Sequence, residues 1–190
     1  MLIALHCHKP SVLAALRDKG DDMRHTYTAT IADISLVPLD EKTSELYRQL
    51  RNLDENRAFF FDSRRIDAQQ QRDWFSKYVG KSSEVMFAIL DENNQFVGCN
   101  ALYSIDRVEG VAEYGRLLID RSYSGKGHGL KATRAALCIA KRDLGLRLVN
   151  LEVYSDNLSA VKTYVRAGFV VVGESQMKDG KSMLRMECDL

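Results

Sequence analysis

The chain has 190 residues, a length that suits one domain with a proper hydrophobic core. Hydrophobic residues make up 45% and charged residues 28%, as is ordinary for a globular protein. Lys and Arg number 27 against 26 Asp and Glu, so there is no polycation for nucleic acid or an anionic membrane. No apolar run reaches membrane-spanning length, and no signal-peptide pattern opens the chain. We therefore expect a cytoplasmic protein.

The first thirty residues differ from the rest of the chain. Three of the four histidines fall there, and the main pattern of elements begins only afterwards. The cluster His6-Cys7-His8 has metal-ligating side chains, but no further ligands follow at metal-site spacing, so we expect no metal. The four cysteines form no C-x-x-C pair and are expected to be free thiols. We interpret residues 1–30 as an extension and residues 31–190 as a single domain.

The first half of this domain begins with a strand and two helices. The patterns predict a strand over 34–39, a helix over 45–53 and a second helix up to residue 78. Asp67, with Gln70 three residues later, is typical of a capping box at the start of that helix. Two further strands, 85–90 and 96–105, are predicted to form a hairpin around the polar loop 91–95.

The second half alternates strands and helices. Strands are predicted over 111–120, 149–154, 169–173 and 182–188, the last two joined at Asp179-Gly180. Helices are predicted from residue 130 to Leu144, before Gly145, and over 157–167, before Gly168. Hairpins dominate, and helical crossovers appear only late in the chain. This order favours a mixed sheet with helices on both faces, and not a doubly wound parallel sheet.

A glycine-rich turn lies between the strand over 111–120 and the following helix. Gly125, Gly127 and Gly129 alternate within the segment 122–131. A turn at a helix start collects backbone N–H groups at the positive end of the helix dipole, where a phosphate binds well. The spacing matches neither the dinucleotide-binding turn nor the P-loop. The turn by itself is either an anion site or a flexible connection from strand to helix.

A second motif follows about thirty residues later. The spacing N-x-x-A-x-x-x-Y-x-x-x-G-F occurs at Asn157, Ala160, Tyr164, Gly168 and Phe169. Together with the glycine turn, it closely resembles the GNAT superfamily of acetyl-CoA-dependent N-acetyltransferases. The resemblance implies an α/β, three-layer fold with a mixed, mostly antiparallel central sheet of about seven strands and helices on both faces. It also implies acetyl-CoA as the acetyl donor.

Looser patterns in the first half resemble one branch of this superfamily. That branch acetylates ribosomal-protein N-termini and nucleotide-linked amino sugars. The similar residues lie before and within the second helix and on the strand before the glycine turn: Leu50, Arg51, Asn52, Arg57, Phe60, Gln71, Trp74, Phe75, Tyr78 and the segment 112–115.

The resemblance implies how CoA is held. The pyrophosphate rests on the N–H groups from Gly125 to Gly129, and the pantetheine arm pairs with the strand backbone. Lys126 either adds charge or is a solvated loop lysine, and His128 is expected to be a helix-start side chain. Ser124 departs from the usual Arg or Gln, which makes the site depend more on main-chain groups. The implied cofactor-binding residues are Leu118, Ile119, Ser124, Gly125, Lys126, Gly127, His128, Gly129, Asn157 and Ala160.

The resemblance also implies two catalytic residues. Tyr164 is the candidate general acid, because a phenol stays protonated at neutral pH and can donate to a departing thiolate. The alternative for Tyr164 is a core tyrosine. Glu113 is the candidate general base, and a structural or substrate-binding carboxylate is the alternative for it. Cationic and aromatic groups of the first half are expected to contact the acceptor: Arg51, Asn52, Arg57, Phe60, Phe61 and Trp74.

We therefore expect an N-acetyltransferase that acts on a primary amine of a small molecule, such as a nucleotide-linked amino sugar. Protein N-terminal acetylation is an alternative within the same class, and a non-catalytic CoA-binding regulatory module is an alternative outside it. The acceptor is expected to be the only partner besides CoA, in a monomer or a homodimer.

Overall fold

A computed structural model gives the fold and describes residues 25–57, 60, 62–177 and 180–190. The predicted extension lies mostly outside these residues, as do the His6-Cys7-His8 cluster and Phe61. The first half contains β1 (Ala29–Ile31), β2 (Ile34–Pro38), α1 (Glu41–Arg51), α2 (Asp54–Arg57), α3 (Ala68–Tyr78), β3 (Val85–Leu90) and β4 (Phe96–Asp106). The second half contains β5 (Val111–Ile119), α4 (His128–Arg142), β6 (Leu148–Tyr154), α5 (Leu158–Ala167), β7 (Val170–Gln176) and β8 (Ser182–Asp189).

The strands form one mixed sheet in the order β1-β2-β3-β4-β5-β6-β8-β7. Only β5 and β6 pair in parallel, and the other neighbours are antiparallel. The predicted fold class is confirmed, with eight strands where about seven were expected. The additional strand is β1, which has three residues and pairs with β2 through a tight turn at Ala32 and Asp33. Ala32 has φ 54°, so no glycine marks this turn in the sequence.

Two hydrophobic cores lie on opposite faces of the sheet. The larger core packs α4 and α5 against one face, where Ala132, Ala136 and Ile139 of α4 are fully buried. The smaller core packs α1 and α3 against the other face, with Tyr47 and Phe75 buried there. The three layers follow from helices that each have one apolar face and a sheet that has two.

The helix starts differ in how they are capped. Asp40 and Asp67 cap α1 and α3, each in a reciprocal capping box, which confirms the pattern predicted at Asp67. The cap at Asp40 also explains why α1 begins at Glu41 and not at the predicted residue 45. By contrast, α4 begins after Gly127, which has φ 74° and provides no side-chain cap. Its first N–H groups therefore lack both an intrahelical acceptor and a capping side chain.

The sheet opens between β5 and β6. The two strands pair only from Val111 to Glu113 on β5 and from Leu148 to Asn150 on β6. β4 continues to pair with β5 as far as Ile119, across two irregularities in register. The opening therefore lies at the centre of the sheet, between the two cores. Within the described ranges, no helix is long and apolar enough to cross a membrane.

Candidate active site

The opening leaves one edge of β5 without a strand neighbour. In the described part of the sheet, residues 114–119 of β5 do not pair with β6. Leu118 and Ile119 pair on their other side with Cys99 and Gly98 of β4. Backbone N–H and C=O groups on the free edge need other partners, so this edge suits an extended ligand that carries amide groups.

The glycine turn lies at the end of the same strand, next to the opening. Ser124, Gly125, Lys126 and Gly127 are all exposed. Gly125 and Gly127 have φ 79° and 74°, and a Cβ built on either would meet no atom within 4 Å. The uncapped N-terminus of α4 therefore faces open space. A 15-residue helix with free first-turn N–H groups fits a diphosphate.

His128 is the first residue of α4, and its side chain turns inward. It is 5% exposed, and its ring centroid lies 6.2 Å from that of Tyr123. Burial and the nearby Lys131 lower the pKa of His128, so the imidazole is neutral at pH 7. Lys126 lies over the Tyr123 ring, with its Nζ 5.4 Å from the ring centroid. His128 thus offers the turn its backbone N–H and no positive charge.

A buried hydrogen-bond chain fixes the start of α4 against the sheet. The Asn100 amide donates to the Tyr114 hydroxyl at 3.2 Å, and Tyr114 and Thr133 share a hydrogen bond of 3.0 Å. Thr133 in turn donates to the carbonyl of Gly129 at 2.7 Å. Three side chains from β4, β5 and α4 therefore set the position of the glycine turn. No sequence pattern predicted this network.

Tyr164 lies on α5, on the face of the sheet that carries α4. It is 7% exposed, and its ring packs against Tyr114 at 6.0 Å and Phe169 at 5.9 Å between centroids. Burial, followed by the influence of Tyr114 and Tyr103, raises the pKa of Tyr164 well above its usual range. The phenol keeps its proton at neutral pH. At the start of α5, Asn157 accepts a hydrogen bond from the Ala160 N–H at 3.2 Å.

Glu113 lies where β5 and β6 separate, and its neighbours come from β4 and β5. Tyr103 of β4 is its direct cross-strand partner. Burial raises the pKa of the Tyr103 phenol most, and the Glu113 carboxylate raises it further. Arg116 lies over the Tyr103 ring at 5.0 Å and forms an ion pair with the buried Glu84. Tyr103 and Arg116 were not predicted, because only the strand register brings them beside Glu113.

A cavity of about 380 Å³ lies beside this group, between β5 and the layer of α1 and α3. Four of its lining residues are arginines, and its walls also carry aromatic and amide side chains. The lining residues are Tyr47, Arg51, Asp62, Arg64, Arg65, Ile66, Gln70, Gln71, Trp74 and Arg116.

Of the predicted acceptor residues that the structure describes, two line the cavity, Arg51 and Trp74. Arg51 is buried and donates to the carbonyls of Asp62 and Arg64, and it also stacks on Phe60 at 4.7 Å. It therefore shapes the loop that closes the cavity.

The other predicted acceptor residues that the structure describes also contact the loop that closes the cavity. Asn52 exchanges two hydrogen bonds with the main chain of Ile66, at 2.7 and 2.9 Å. Arg57 donates to the Ser63 carbonyl and pairs with Asp54. Among the described residues, no group of three or more His, Cys, Asp or Glu side chains could hold a metal ion.

Comparison with known proteins identifies the relatives of this chain. Residues 47–169 match the model of the acetyltransferase (GNAT) family, which is more than half of the chain. An uncharacterized N-acetyltransferase of Methanocaldococcus jannaschii is 27% identical over 147 residues, covering 75% of this chain and 61% of that protein. The spermidine N(1)-acetyltransferase of Escherichia coli K12 is 26% identical over 141 residues, covering 74% and 75%.

Solved structures share the fold. The spermidine N-acetyltransferase of Vibrio cholerae, in complex with CoA and spermine, superimposes with a TM-score of 0.76 at 21% identity, over 83% of this chain and 95% of that one. A dodecameric structure of the Vibrio cholerae enzyme gives a TM-score of 0.70 at 21% identity, over 83% and 94%. The Escherichia coli and Vibrio cholerae proteins are named as spermidine acetyltransferases, and none of these relatives is named for the ribosomal or amino-sugar branch that the sequence patterns favoured.

Proposed function

Because this chain belongs to the acetyltransferase (GNAT) family and is an N-acetyltransferase that uses acetyl-CoA, we propose that its acceptor is a primary amine of an aliphatic polyamine. The observation that carries the proposal is a pair of carboxylates on the two strands that border the opening. Glu113 is the last residue of β5 that pairs with β6, and Glu152 lies on β6 two residues beyond the last paired position, Asn150. Polyamines are polycations at neutral pH, so two carboxylates beside the opening attract them. The names of the relatives support the same class.

The residues of the turn and the opening fit CoA. The N–H groups from Gly125 to Gly129, at the uncapped start of α4, would hold its pyrophosphate, and Ser124 and Lys126 border that position. The free edge of β5 at Leu118 and Ile119 would pair with its amide groups. Asn157 and Ala160 are the remaining proposed CoA-binding residues, and they lie at the start of α5, across the opening. When bound, acetyl-CoA supplies a reactive thioester.

The two proposed catalytic residues lie on opposite sides of the opening. Tyr164, on the α4 and α5 side, holds a proton on its phenol oxygen that it can give to a departing sulfur. Glu113, at the separation of β5 and β6, accepts a proton from the incoming ammonium and leaves the amine free to attack. An acid and a base on either side of one opening are what acetyl transfer from a thioester to an amine requires.

A second acceptor class is favoured by the arginine-lined cavity. Arg51 is buried there and donates hydrogen bonds to main-chain carbonyls, whereas Arg64 pairs with Asp62 and Arg116 with Glu84. A buried guanidinium whose hydrogen bonds go to neutral carbonyls, in a cavity lined by three further arginines, favours an anionic ligand. An amine linked to a phosphate group, as in a nucleotide-linked amino sugar, is therefore the second candidate. The relatives give no support to protein N-terminal acetylation or to a non-catalytic role.

The test is a panel of amines incubated with acetyl-CoA, with release of free thiol as the readout. The panel contains spermidine, spermine, a monoamine of similar length, and a nucleotide-linked amino sugar. We expect kcat/KM for spermidine to exceed that for the monoamine by about tenfold or more, since each extra ammonium–carboxylate contact contributes roughly 1 kcal/mol. A tenfold preference for the amino sugar selects the second candidate, and no turnover of any amine overturns both.

A variant pair sharpens this test. Glu152→Gln removes one of the two carboxylates, so we expect a several-fold rise in KM for spermidine and little change for the monoamine. Glu92→Gln is the matched control, because Glu92 is exposed in the loop between β3 and β4. Equal effects of Glu152→Gln on both amines would contradict the polyamine assignment.

We keep a monomer or a homodimer, with residues 31–190 as one catalytic domain, as a proposal. Light scattering on a sizing column measures the assembly directly. A twelve-subunit mass would contradict the proposal and would match the dodecameric structure of the Vibrio cholerae enzyme.

A further inference from the structure

A tyrosine of β4 reaches across β5 at a glycine. Tyr103 pairs with Glu113 in the sheet. Its ring lies over Gly115, which is two residues further along β5 and on the same face of the strand. A Cβ built on Gly115 would lie 2.8 Å from the Tyr103 hydroxyl and 3.1 Å from its Cε1. Gly115 has an ordinary strand conformation, so the backbone does not demand a glycine there. The missing side chain is what lets the Tyr103 hydroxyl lie over β5 towards the opening.

The charged groups around this hydroxyl are of both signs. Glu113 and Glu152 bring two carboxylates near the phenol oxygen, and Arg116 lies over the ring and weakens their effect. Arg116 is held by Glu84, which is 5% exposed, so its guanidinium stays in place. Two carboxylates therefore lie near the Tyr103 hydroxyl, and a fixed cation lies over the face of the Tyr103 ring.

The hydroxyl also lies within electrostatic reach of the proposed acid. Tyr103 contributes to the raised pKa of Tyr164, although the two phenols belong to opposite faces of the sheet. The opening between β5 and β6 is the place where the two faces meet. An amine that enters from the α1 and α3 side meets Tyr103 and Glu113 before it reaches the sulfur that Tyr164 serves.

We propose that the Tyr103 hydroxyl receives the acceptor ammonium and passes its proton to Glu113. One N–H bond of the ammonium breaks, and that proton moves to the phenol oxygen. The proton already on that oxygen moves to the Glu113 carboxylate. The products are a neutral amine, a neutral phenol and a protonated carboxyl group, so charge and atoms balance. The proposal rests on the acetyl-transfer function above, and it does not depend on which amine is the acceptor.

Tyr103 acts here as a relay and not as a standing base. Burial, Glu113 and Glu152 raise the pKa of its phenol, so no tyrosinate is present at neutral pH. A relay needs only a hydroxyl that gives one proton while it accepts another. Glu113 supplies the negative charge that draws the proton through.

The first test is Tyr103→Phe, assayed from pH 6.5 to pH 9.5 with any amine that the wild-type enzyme acetylates. We expect kcat/KM to fall by about tenfold near neutral pH. The deficit should shrink at high pH, where free amine enters from solution and needs no relay. The control is Tyr27→Phe, which removes a hydroxyl that accepts from Arg107 far from the opening and should keep the wild-type profile. Thermal unfolding checks that both variants fold.

The second test couples Tyr103 to Gly115. Gly115→Ala places a Cβ against the Tyr103 hydroxyl, so we expect it to reproduce the pH-dependent loss. In the Tyr103→Phe background the hydroxyl is gone and only the contact with the ring remains, so Gly115→Ala should lower kcat/KM less than it does alone. A deficit in Tyr103→Phe that is equal at all pH values, or fully additive losses, would overturn the relay. Either result would leave acetyl transfer by the wild-type enzyme standing.

Discussion

Tyr164 combines an observed packing role with a proposed chemical one. Its ring packs between Tyr114 and Phe169 in the larger core, which is the role that a core tyrosine would have. The same burial raises the pKa of its phenol, so the proton stays available at neutral pH. The two interpretations offered by the sequence are therefore compatible. What separates them is the hydroxyl group, which only the chemical role requires.

The first prediction removes that hydroxyl. Tyr164→Phe should lower kcat by about 10²-fold or more, because proton donation by a positioned acid contributes on that order. The KM for acetyl-CoA and the melting temperature should change little, since the ring contacts remain. Steady-state kinetics and thermal unfolding measure the two effects. If kcat equals that of the wild-type enzyme, Tyr164 is a packing residue only.

The acceptor residues show what residue type alone cannot tell. Arg51 and Asn52 were predicted to bind the acceptor as part of a set of cationic and aromatic groups in the first half of the chain. In the structure, both hydrogen-bond to main-chain atoms of the loop 62–66. Because their partners are backbone groups, which every sequence has, no sequence motif predicts these hydrogen bonds. Tyr103 was missed for a related reason, because its neighbours Glu113 and Gly115 are set by strand register.

At the scale of elements, the contact between β4 and β5 holds one side of the opening. A Cβ built on Gly98 of β4 would collide with the carbonyl oxygen of Leu118 on β5. That atom belongs to the backbone, so it can move away only if the strand moves. Leu118 is also proposed to pair with CoA on its other edge. The close approach at Gly98 therefore links sheet packing to the position of the donor site.

The second prediction tests this link. Gly98→Ala should destabilise the protein by about 2 kcal/mol or more, because a rigid backbone contact must be relieved. It should also weaken acetyl-CoA binding, since Leu118 shifts. Gly80→Ala is the matched control, because its Cβ would lie 3.6 Å from the Lys77 carbonyl, an ordinary contact. Chemical denaturation and acetyl-CoA titration measure both effects, and an unchanged Gly98→Ala protein contradicts the argument.

Elements with strong local signals were predicted well, and those without were not. α3 has a capping box at Asp67, and α5 ends at Gly168 with φ 117°, so both appeared in the sequence near their observed bounds. β1 has three residues and a turn through Ala32, which has no turn-forming signature. α2 is a single turn of four residues, too short for a hydrophobic period to show.

At the scale of the whole molecule, the sheet separates the proposed donor side from the proposed acceptor side. The larger core carries α4 and α5, which present the uncapped helix start and Tyr164. The smaller core carries α1 and α3, which close the arginine-lined cavity near Glu113 and Tyr103. The opening between β5 and β6 is where the two sides meet. Donor and acceptor can therefore bind from opposite faces and react within the sheet.

Both cores bury tyrosines, and this couples stability to alkaline pH. Burial raises the pKa of Tyr47 to about 12, and it also raises the pKa values of Tyr114 and Tyr164. Each phenol has an ordinary pKa of 10.0, the value it regains on unfolding. The folded state thus prefers the protonated phenol more strongly than the unfolded state does. The associated stability is complete below pH 10 and is lost as the pH rises towards 12.

The third prediction is therefore cooperative alkaline unfolding. Between pH 10 and 12, the buried tyrosines should ionise together with the loss of near-UV circular dichroism. Tyr47→Phe removes one buried phenol, so the unfolding midpoint should rise by roughly half a pH unit. Tyr27→Phe is the control, because Tyr27 is only partly buried and its ring packs at the edge of the larger core. If all tyrosines ionise near pH 10 while the fold persists, burial does not control their titration.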